Sequence, residues 1–407
     1  MIIQLYRNAY SGLSRPVWLL AGVMLINRSG TMVLPFLSLY LTQCLHYSVE
    51  QAGVVLALFG IGSLLGTFLG GRLTDHIGFY PIQVISLLFG GLMLLIMQFI
   101  VRFEWLCLTV FVFTALGDAF RPANSAAFAF YSTPDTRTRA YSLNRLAINL
   151  GWAVGGGLGG LLASLHYQLL FWVDGLTCIC AALYLFYALP APARSPTTTH
   201  EANTQLPAVR SPYRDGLFLF FTGCVFLYST AFMQFFSLLP LYFKKHLGVS
   251  EGGIGLFMAL NGLLIVAVEM ALIYALERRT QQRLLISAVG AILTGLALFI
   301  LTLTRWPGIA WVTITLLTLG EMLAMPFLLT FAANRSDERN RGQYLGLYSM
   351  GWALSQVSSP LIGSQVAERF GFQTLWTLML GIAVVAAVGL LLVNRQVSAN
   401  PASAVSV

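Results

Sequence analysis

Long apolar runs separated by short polar turns dominate the sequence. Each run holds about twenty residues, enough for a helix with a rise of about 1.5 Å per residue to cross the roughly 30 Å hydrocarbon core of a bilayer. The pattern predicts an all-α integral membrane protein with twelve transmembrane helices, which we number spans 1 to 12. Their predicted ranges are 16–40, 52–72, 81–101, 105–129, 141–165, 168–189, 215–243, 252–276, 284–304, 308–331, 343–367 and 372–394.

The composition agrees with this pattern. The 407 residues are 57% hydrophobic and 9% charged, whereas soluble domains carry about 25% charged residues. A formal net charge of +8 could indicate nucleic acid, but the basic residues stand singly between apolar runs and form no basic stripe. The sequence therefore predicts a lipid bilayer, and no nucleic acid, as a partner.

The loop charges predict how the helices are oriented. If the amino terminus is cytoplasmic, most of the loop arginines lie on the cytoplasmic side, as the positive-inside rule requires. Both termini are therefore predicted to be cytoplasmic. The basic residues left on the outer side are Arg102, Lys244, Lys245, Arg305 and Arg369.

The chain repeats itself at a shift of 202 residues. Leu39-Tyr40 aligns with Leu241-Tyr242, and Asp75 aligns with Glu277. With a small gap, Gly117-Asp118 aligns with Gly320-Glu321. A stretch rich in Pro, Thr and Ser separates the two copies and is predicted to be an unstructured linker. The predicted domains are a six-helix bundle at 1–189, a cytoplasmic linker at 190–214 and a second six-helix bundle at 215–407.

A polar stretch between spans 2 and 3 carries the pattern Gly71-x-x-x-Asp75-His76-x-Gly78. We expect it to form a short polar turn at the membrane surface. The pattern resembles the signature between helices 2 and 3 of the major facilitator superfamily of secondary transporters. That family usually has Arg or Lys where this chain has His76, Phe79 and Tyr80.

The resemblance implies two pseudo-symmetric six-helix bundles that rock about a substrate site near the membrane midplane. It implies a multi-pass protein of the plasma membrane, here the bacterial inner membrane, that acts as a monomer on a small-molecule substrate. It also makes Gly71, Asp75, Gly78 and the aligned Glu277 parts of a cytoplasmic gate. Neither a cofactor nor a metal is expected.

Charged residues inside the spans are functional candidates, because they are costly to bury in a membrane. Asp118 and Arg121 lie near the middle of span 4, three residues apart and so on one helix face. They could form a local ion pair that neutralises both groups, or Arg121 could contact the substrate. Arg28 near the middle of span 1 could bind an anionic substrate or balance Asp118. Asp174 in span 6 could be an interfacial or a binding residue.

Glu321 in span 10 occupies the position of Asp118 in the second copy, without an arginine one turn later. Burial of such a carboxylate favours proton uptake, so Glu321 could couple transport to protons or bind substrate. Gly320-Glu321-x4-Pro326 resembles the helix 10 segment of proton-coupled multidrug antiporters of the superfamily.

Span 5 contains a glycine-rich run between Gly151 and Gly160. Because no Lys-Ser or Lys-Thr follows it, a phosphate-binding loop is excluded. Small residues at this spacing allow helices to approach closely. The run resembles the helix 5 antiporter motif of the superfamily, with Gly156 where that motif has proline. The predicted packing residues are Gly151, Gly155, Gly156, Gly159 and Gly160.

No enzyme is predicted, because the five histidines form neither a metal-ligand spacing nor a triad. The resemblance favours proton-coupled efflux of small lipophilic compounds or drugs. Arg28 and Arg121 leave open the proton-coupled uptake of a small anionic metabolite. A receptor or scaffold that has lost transport is a third interpretation.

Overall fold

The computed structural model describes residues 12–189, 211–279, 282–335 and 341–399. Every regular element within these ranges is a helix. Eleven helical segments in the described part of the chain are long and apolar enough to cross a membrane. The last of them, Gln343–Ser398, has 56 residues and contains Gly371, whose φ of 84° and ψ of 164° divide it into two helices. The prediction of twelve membrane-spanning helices is confirmed.

Spans 1 to 6 contain breaks that the apolar pattern did not predict. Span 1 consists of Arg15–Gly30, Val33–Leu39 and a π-helical turn at Tyr40–Cys44, and span 4 of Phe103–Asp118 and Phe120–Tyr131. The remaining spans are continuous. Spans 2, 3, 5 and 6 are Val49–Ile77, Phe79–Met97, Pro134–Leu165 and Gln168–Ala188.

Spans 7 to 12 follow the same plan. Span 7 is interrupted and consists of Gly216–Phe232, Gln234–Ser237 and Leu239–Leu247. Spans 8 and 10 are the helices Glu251–Arg279 and Ile309–Asn334, and span 9 is Arg283–Phe299 followed by a 3-10 turn. Spans 11 and 12 share Arg341–Ala399, which divides at Gly371.

The polar turn expected between spans 2 and 3 is much shorter than predicted. The helix of span 2 continues through Ile77, and only Gly78 separates it from span 3. Gly78 has a φ of 90°, a region that L side chains rarely adopt and that glycine enters freely. One residue therefore reverses the chain, and the polar residues before it belong to the last helical turns.

Span 2 begins at a capping box that the sequence encodes locally. The Ser48 hydroxyl accepts a hydrogen bond from the Gln51 backbone N–H at 3.0 Å, and the Gln51 side-chain oxygen accepts one from the Ser48 N–H at 3.0 Å. Such reciprocal bonds satisfy donors that a helix start leaves unpaired. In the second copy Ser250 keeps half of this arrangement, accepting from the Gly253 N–H at 3.2 Å.

The chain forms two compact units. The first consists of Met1–Arg194 and Val249–Val266, and the second of Ser195–Gly248 and Ala267–Val407. The first half of span 8 thus packs with spans 1 to 6. The division into bundles at 1–189 and 215–407 stays a prediction from the repeat, and most of the predicted linker, residues 190–210, lies outside the described residues.

Each unit has an apolar interior and an apolar outer surface. In the first unit, Leu20, Phe128 and Leu185 belong to a core of fully buried side chains. Large apolar side chains such as Phe68, Leu161 and Phe186 are more than half exposed. Exposed apolar side chains on a span are expected when lipid tails surround it.

Candidate functional site

An acid from span 6 caps the helical segment that begins after the break in span 1. One carboxylate oxygen of Asp174 accepts hydrogen bonds from the backbone N–H groups of Met32 and Val33, both at 3.2 Å. Asp174 is buried, with 5% of its surface exposed. These bonds satisfy the donors that a new helix start leaves unpaired. Asp174 is therefore a buried capping residue and not an interfacial one.

Arg28 lies one turn before this break, in the first segment of span 1. Its Nε is buried and has no hydrogen-bond partner. Asp118 and Asp174 attract its guanidinium group electrostatically, and Arg121 repels it. Both acids are engaged elsewhere, Asp174 by the backbone of span 1 and Asp118 by Arg121. A buried donor without a partner is costly, so the Arg28 Nε could gain from an acceptor supplied by a ligand.

Asp118 and Arg121 form an ion pair on span 4. Arg121 Nε lies 2.9 Å from Asp118 Oδ1. The Asp118 side chain is 15% exposed and that of Arg121 is 43% exposed, so solvent screens the arginine more than the acid. The buried Ser63 hydroxyl on span 2 donates a hydrogen bond to the other oxygen of Asp118. Asp118 is thus held from two helices.

These side chains meet around one cavity of the first unit. Its volume is about 90 Å³, room for several water molecules. The charged residues that line it are Arg28, Asp118, Arg121 and Asp174, and Asn27 and Trp152 line it as well. The cavity brings together three of the four predicted intramembrane site residues, on spans 1 and 4.

The glycines of span 5 serve two different neighbours. A Cβ built on Gly151 would lie 2.4 Å from the Arg28 Cβ, and one on Gly155 would lie 3.0 Å from the Ser29 carbonyl oxygen. Gly159 packs likewise on Phe36 and Met32 of span 1. Glycine at every fourth position therefore lets span 1 lie directly on span 5, with Arg28 at the contact.

The other two predicted glycines face the first half of span 8. A Cβ on Gly156 would lie 2.4 Å from the Met258 Cβ, and one on Gly160 would lie 2.5 Å from the Gly255 Cα. At the end of the same contact, the Tyr167 hydroxyl donates a hydrogen bond to Glu251 at 2.8 Å. This contact explains why the compact unit includes Val249–Val266.

Glu321 lies in the second unit and is half-buried on span 10. The preceding Gly320 packs against span 9, where a Cβ would meet the Thr294 hydroxyl at 2.5 Å. Tyr228 on span 7 is fully buried and close enough to Glu321 for an electrostatic interaction. Its ring packs edge-on against Trp352 of span 11 at 6.0 Å. Glu321 is therefore near Tyr228, which belongs to an aromatic group formed by spans 7 and 11.

The predicted gate is described only in part. Gly78 makes the turn between spans 2 and 3, and Gly71 is loosely packed, since its nearest neighbour, Pro122, would lie 3.9 Å from an added Cβ. The tight contact is made by Gly70, whose Cβ would lie 2.5 Å from the Ala119 Cα. The side chains of Asp75 and Glu277 lie outside the described residues.

A buried ion pair at the start of span 7 has no counterpart among the predicted site residues. Arg335 donates from Nε to Asp215 Oδ2 at 2.9 Å and from its terminal nitrogen to Oδ1 at 3.2 Å. Asp215 also accepts from the Phe218 N–H and from the Tyr344 hydroxyl, each at 3.2 Å. It thus caps span 7 and joins it to the end of span 10 and the start of span 11.

A different contact closes the corresponding place in the first unit. The Ser14 hydroxyl, at the start of span 1, donates to the Tyr131 carbonyl at the end of span 4, at 2.8 Å. The sequence signal for the pair was a lone acid at the first residue of an apolar run. Arg335 stood among the loop arginines, whose pattern indicates topology and not pairing.

A comparison with protein families identifies the chain. The family model of the Major Facilitator Superfamily matches residues 17–356 and 324–406. The chain belongs to the Major Facilitator Superfamily. It is accordingly a multi-pass membrane transport protein, and neither its family nor its structural neighbours are enzymes.

Several bacterial relatives share about a quarter of its residues. Multidrug resistance protein 1 of Bacillus subtilis (strain 168) is 26% identical over 350 residues, covering 84% of this chain and 87% of that protein. Multidrug resistance protein MdtH of Proteus mirabilis (strain HI4320) is 25% identical, covering 83% and 82%. A Na(+), Li(+), K(+)/H(+) antiporter of Planococcus maritimus is 23% identical, covering 89% and 91%.

Solved structures with this fold include a POT family transporter in complex with 5-aminolevulinic acid. It superposes with a TM-score of 0.80 over 96% of this chain and 98% of that one, at 13% sequence identity. At this identity the similarity supports the major facilitator fold and says nothing about the substrate. The fold predicted from the apolar pattern and the repeat is therefore confirmed.

Proposed function

We propose that this transporter exports small lipophilic compounds from the cell in exchange for protons. The observation that carries the proposal is a carboxylate at the same position of each repeat, Asp118 on span 4 and Glu321 on span 10. Asp118 is bonded to Ser63 and Arg121, and Glu321 is half-buried and interacts electrostatically with the buried Tyr228. The two acids thus have different surroundings and are suited to different tasks.

Glu321 is the proton-coupling group in this proposal. A carboxylate can take up and release a proton, and an aromatic surface nearby gives an apolar substrate a place to lie. Substrate and proton then compete for one region, which is what exchange across the membrane requires. The similarity to two multidrug resistance proteins supports this substrate class, and the similarity to a cation/proton antiporter supports coupling by exchange.

Alternating access supplies the movement. The two six-helix bundles would rock about the central site, with Gly71, Asp75, Gly78 and Glu277 in the cytoplasmic gate. The break in span 1 beside Arg28 supports this, because discontinuous helices are where transporters of this kind place their binding groups. We place the protein in the bacterial inner membrane as a monomer with both termini in the cytoplasm.

The test uses purified protein in liposomes with an imposed pH gradient. Wild type should concentrate a lipophilic dye against its gradient, and Glu321→Gln should abolish this while retaining exchange of labelled for unlabelled dye. Glu321→Asp, which keeps a titratable group, should retain part of the driven transport. If Glu321→Gln still concentrates the dye in response to the pH gradient, Glu321 does not couple transport to protons.

Arg28 supports a second candidate function, the proton-coupled uptake of a small anionic metabolite. Its buried Nε has no partner, and the nearest acids are engaged with other groups. A carboxylate or phosphate entering the cavity would supply the missing acceptor. The two candidates differ in the charge of the substrate, and equilibrium binding distinguishes them, as set out in the Discussion.

A further inference from the structure

A larger cavity lies in the second unit, at the end of span 7 opposite Asp215. Its volume is about 440 Å³, within the range of small-molecule sites. Three segments form it: the end of span 7, the turn between spans 9 and 10, and the junction of spans 11 and 12. The residues that matter for its chemistry are Tyr242, His246, Arg305, Phe372 and Gln373.

Aromatic rings build the floor of this cavity. The Tyr242 ring stacks on His246 with centroids 5.0 Å apart and planes at 19°, and it packs on Phe372 at 5.3 Å. Trp376 supports Tyr242 from behind at 5.4 Å. The Tyr242 hydroxyl donates to the Leu301 carbonyl at 2.8 Å, so the polar end of the ring is engaged. The floor is therefore a fixed aromatic surface, with the Phe372 ring inclined at 55° to that of Tyr242.

Cationic and polar groups stand around this floor. Arg305 lines the cavity with an exposed side chain, Gln373 contributes an amide, and no acidic residue is among the described residues that line it. Lys245 lies next to His246 in the chain. Partial burial, and after it the cations Arg305 and Lys245, lower the pKa of His246. The field at the histidine is therefore positive and favours an anion.

We propose that this cavity binds an organic anion that has a phosphate group and a flat or apolar body. The Arg305 guanidinium offers paired donors that match phosphate oxygens, with Gln373 as a further donor. The body would lie on the more exposed rings of Phe372 and His246, which pack on the buried Tyr242. Nothing in the proposed transport cycle uses this cavity, so the site is additional to the one around Arg28.

Two sources could supply this chemistry, a phospholipid headgroup or a soluble aryl phosphate. The rim carries the large exposed side chains of Leu303, Trp306 and Phe370, which are 70%, 65% and 69% exposed. Tryptophan and other aromatic residues collect at the level of lipid headgroups. The exposed apolar rim favours a lipid, while the aromatic floor favours a soluble aromatic compound.

The first repeat offers a matched control. Tyr40 and Phe171 keep the ring contact there, at 4.9 Å, but Cys44 stands where the second repeat has His246. Arg102 occupies the turn that corresponds to Arg305, and the Tyr47 hydroxyl donates to Val101 of that turn at 2.5 Å. Arg102→Gln therefore removes an equivalent exposed charge without touching the proposed site.

The experiment is calorimetric titration of the full-length protein in a zwitterionic detergent with 1-naphthyl phosphate. Wild type should bind one equivalent, Arg305→Gln should weaken binding at least tenfold, and Arg102→Gln should stay within twofold. Phe372→Ala should weaken the binding of 1-naphthyl phosphate and leave the binding of inorganic phosphate unchanged. Equal losses for Arg305→Gln and Arg102→Gln, or binding too weak to saturate, would overturn the proposal.

A second arm identifies the source. Thermal stability is measured after adding phosphatidylglycerol or phosphatidylcholine to wild type and to Arg305→Gln. If phosphatidylglycerol, and not phosphatidylcholine, stabilises wild type but not Arg305→Gln, and if it also displaces 1-naphthyl phosphate, the result supports the site and assigns it to a lipid headgroup. Saturable 1-naphthyl phosphate binding that phosphatidylglycerol does not displace supports the site and assigns it to a soluble anion. Lipid stabilisation that Arg305→Gln retains contradicts a headgroup at this site.

Discussion

Gly160 of span 5 and Gly255 of span 8 lie against each other so closely that a Cβ on either would come within 2.5 Å of the other's Cα. The atoms in the way are backbone, which cannot rotate aside. Gly160→Ala should therefore separate the helices and destabilise the protein by about 1–3 kcal/mol, as overpacking does. Gly157→Ala is the control on the same helix, because its Cβ would meet only the Ala259 Cβ at 3.4 Å.

Thermal unfolding in detergent measures this difference. Gly157→Ala should leave the midpoint unchanged or raise it, since alanine favours a helix over glycine by about 0.5–1 kcal/mol. Equal midpoints for the two variants would show that the contact tolerates a methyl group.

The Asp118–Arg121 pair predicts coupled mutational effects. Removing either partner leaves a charge in a polar but partly buried place, and removing both relieves part of the penalty. A double-mutant cycle with Asp118→Asn and Arg121→Gln, read out by thermal unfolding, should show an interaction of about 0.5–3 kcal/mol. Strict additivity would mean that the pair is not formed and that Arg121 is available to the substrate.

Arg28 separates the two candidate functions. If the substrate is an anion, Arg28→Gln removes its counter-charge, and anion binding should weaken at least tenfold. If the protein exports lipophilic cations, the same variant should leave cation binding unchanged or tighter, because a like charge is removed. Equilibrium binding of matched anionic and cationic ligands, in one detergent at one pH, is the measurement. Selective loss of the anion would contradict drug export, and unchanged anion binding would contradict metabolite uptake.

Asp215 and Arg335 form a buried ion pair, with side chains 2% and 7% exposed. Breaking such a pair from one side typically costs about 3–5 kcal/mol. Asp215→Asn should therefore lower the unfolding midpoint strongly, and Tyr344→Phe, which removes one hydrogen bond, should cost about 0.5–1.5 kcal/mol. The order of these two effects is the test; a larger loss for Tyr344→Phe would contradict it.

His246 predicts a pH dependence of stability. Because its pKa in the folded protein lies below the usual 6.5, the unfolded chain takes up a proton first as the pH falls. Stability from this group is complete above about 6.5 and is lost as the pH falls toward the lower folded value. His246→Gln should remove that part of the loss between about pH 7 and pH 5, measured as the difference in unfolding midpoints. A bound anion should reduce the loss in wild type.

The sequence predicted what depends on local pattern. The spans follow from apolar length, and the glycines of span 5 follow from their spacing. The ion pair of Asp118 with Arg121 was one of two interpretations of a helical spacing of three. Such features need no knowledge of which helices become neighbours.

Features that depend on distant neighbours were not predicted. Asp174 caps a break in span 1 that lies some 140 residues earlier in the chain, and the apolar pattern gives no sign that span 1 is broken. Asp215 pairs with Arg335 only because the start of span 7 lies beside the end of span 10. The unpartnered Nε of Arg28 is likewise invisible until the two acids near it are seen to be engaged elsewhere.

The different closures of the two repeats have a mechanical consequence. The start of span 7 is held by the ion pair of Asp215 with Arg335 and by the Tyr344 hydroxyl, while at the start of span 1 the uncharged Ser14 hydroxyl donates to a backbone carbonyl. The start of span 1 should therefore be less rigid than the start of span 7, its counterpart in the second repeat. Amide hydrogens in the first turn of span 1 should exchange with solvent faster than those in the first turn of span 7, so the first copy would loosen before the second.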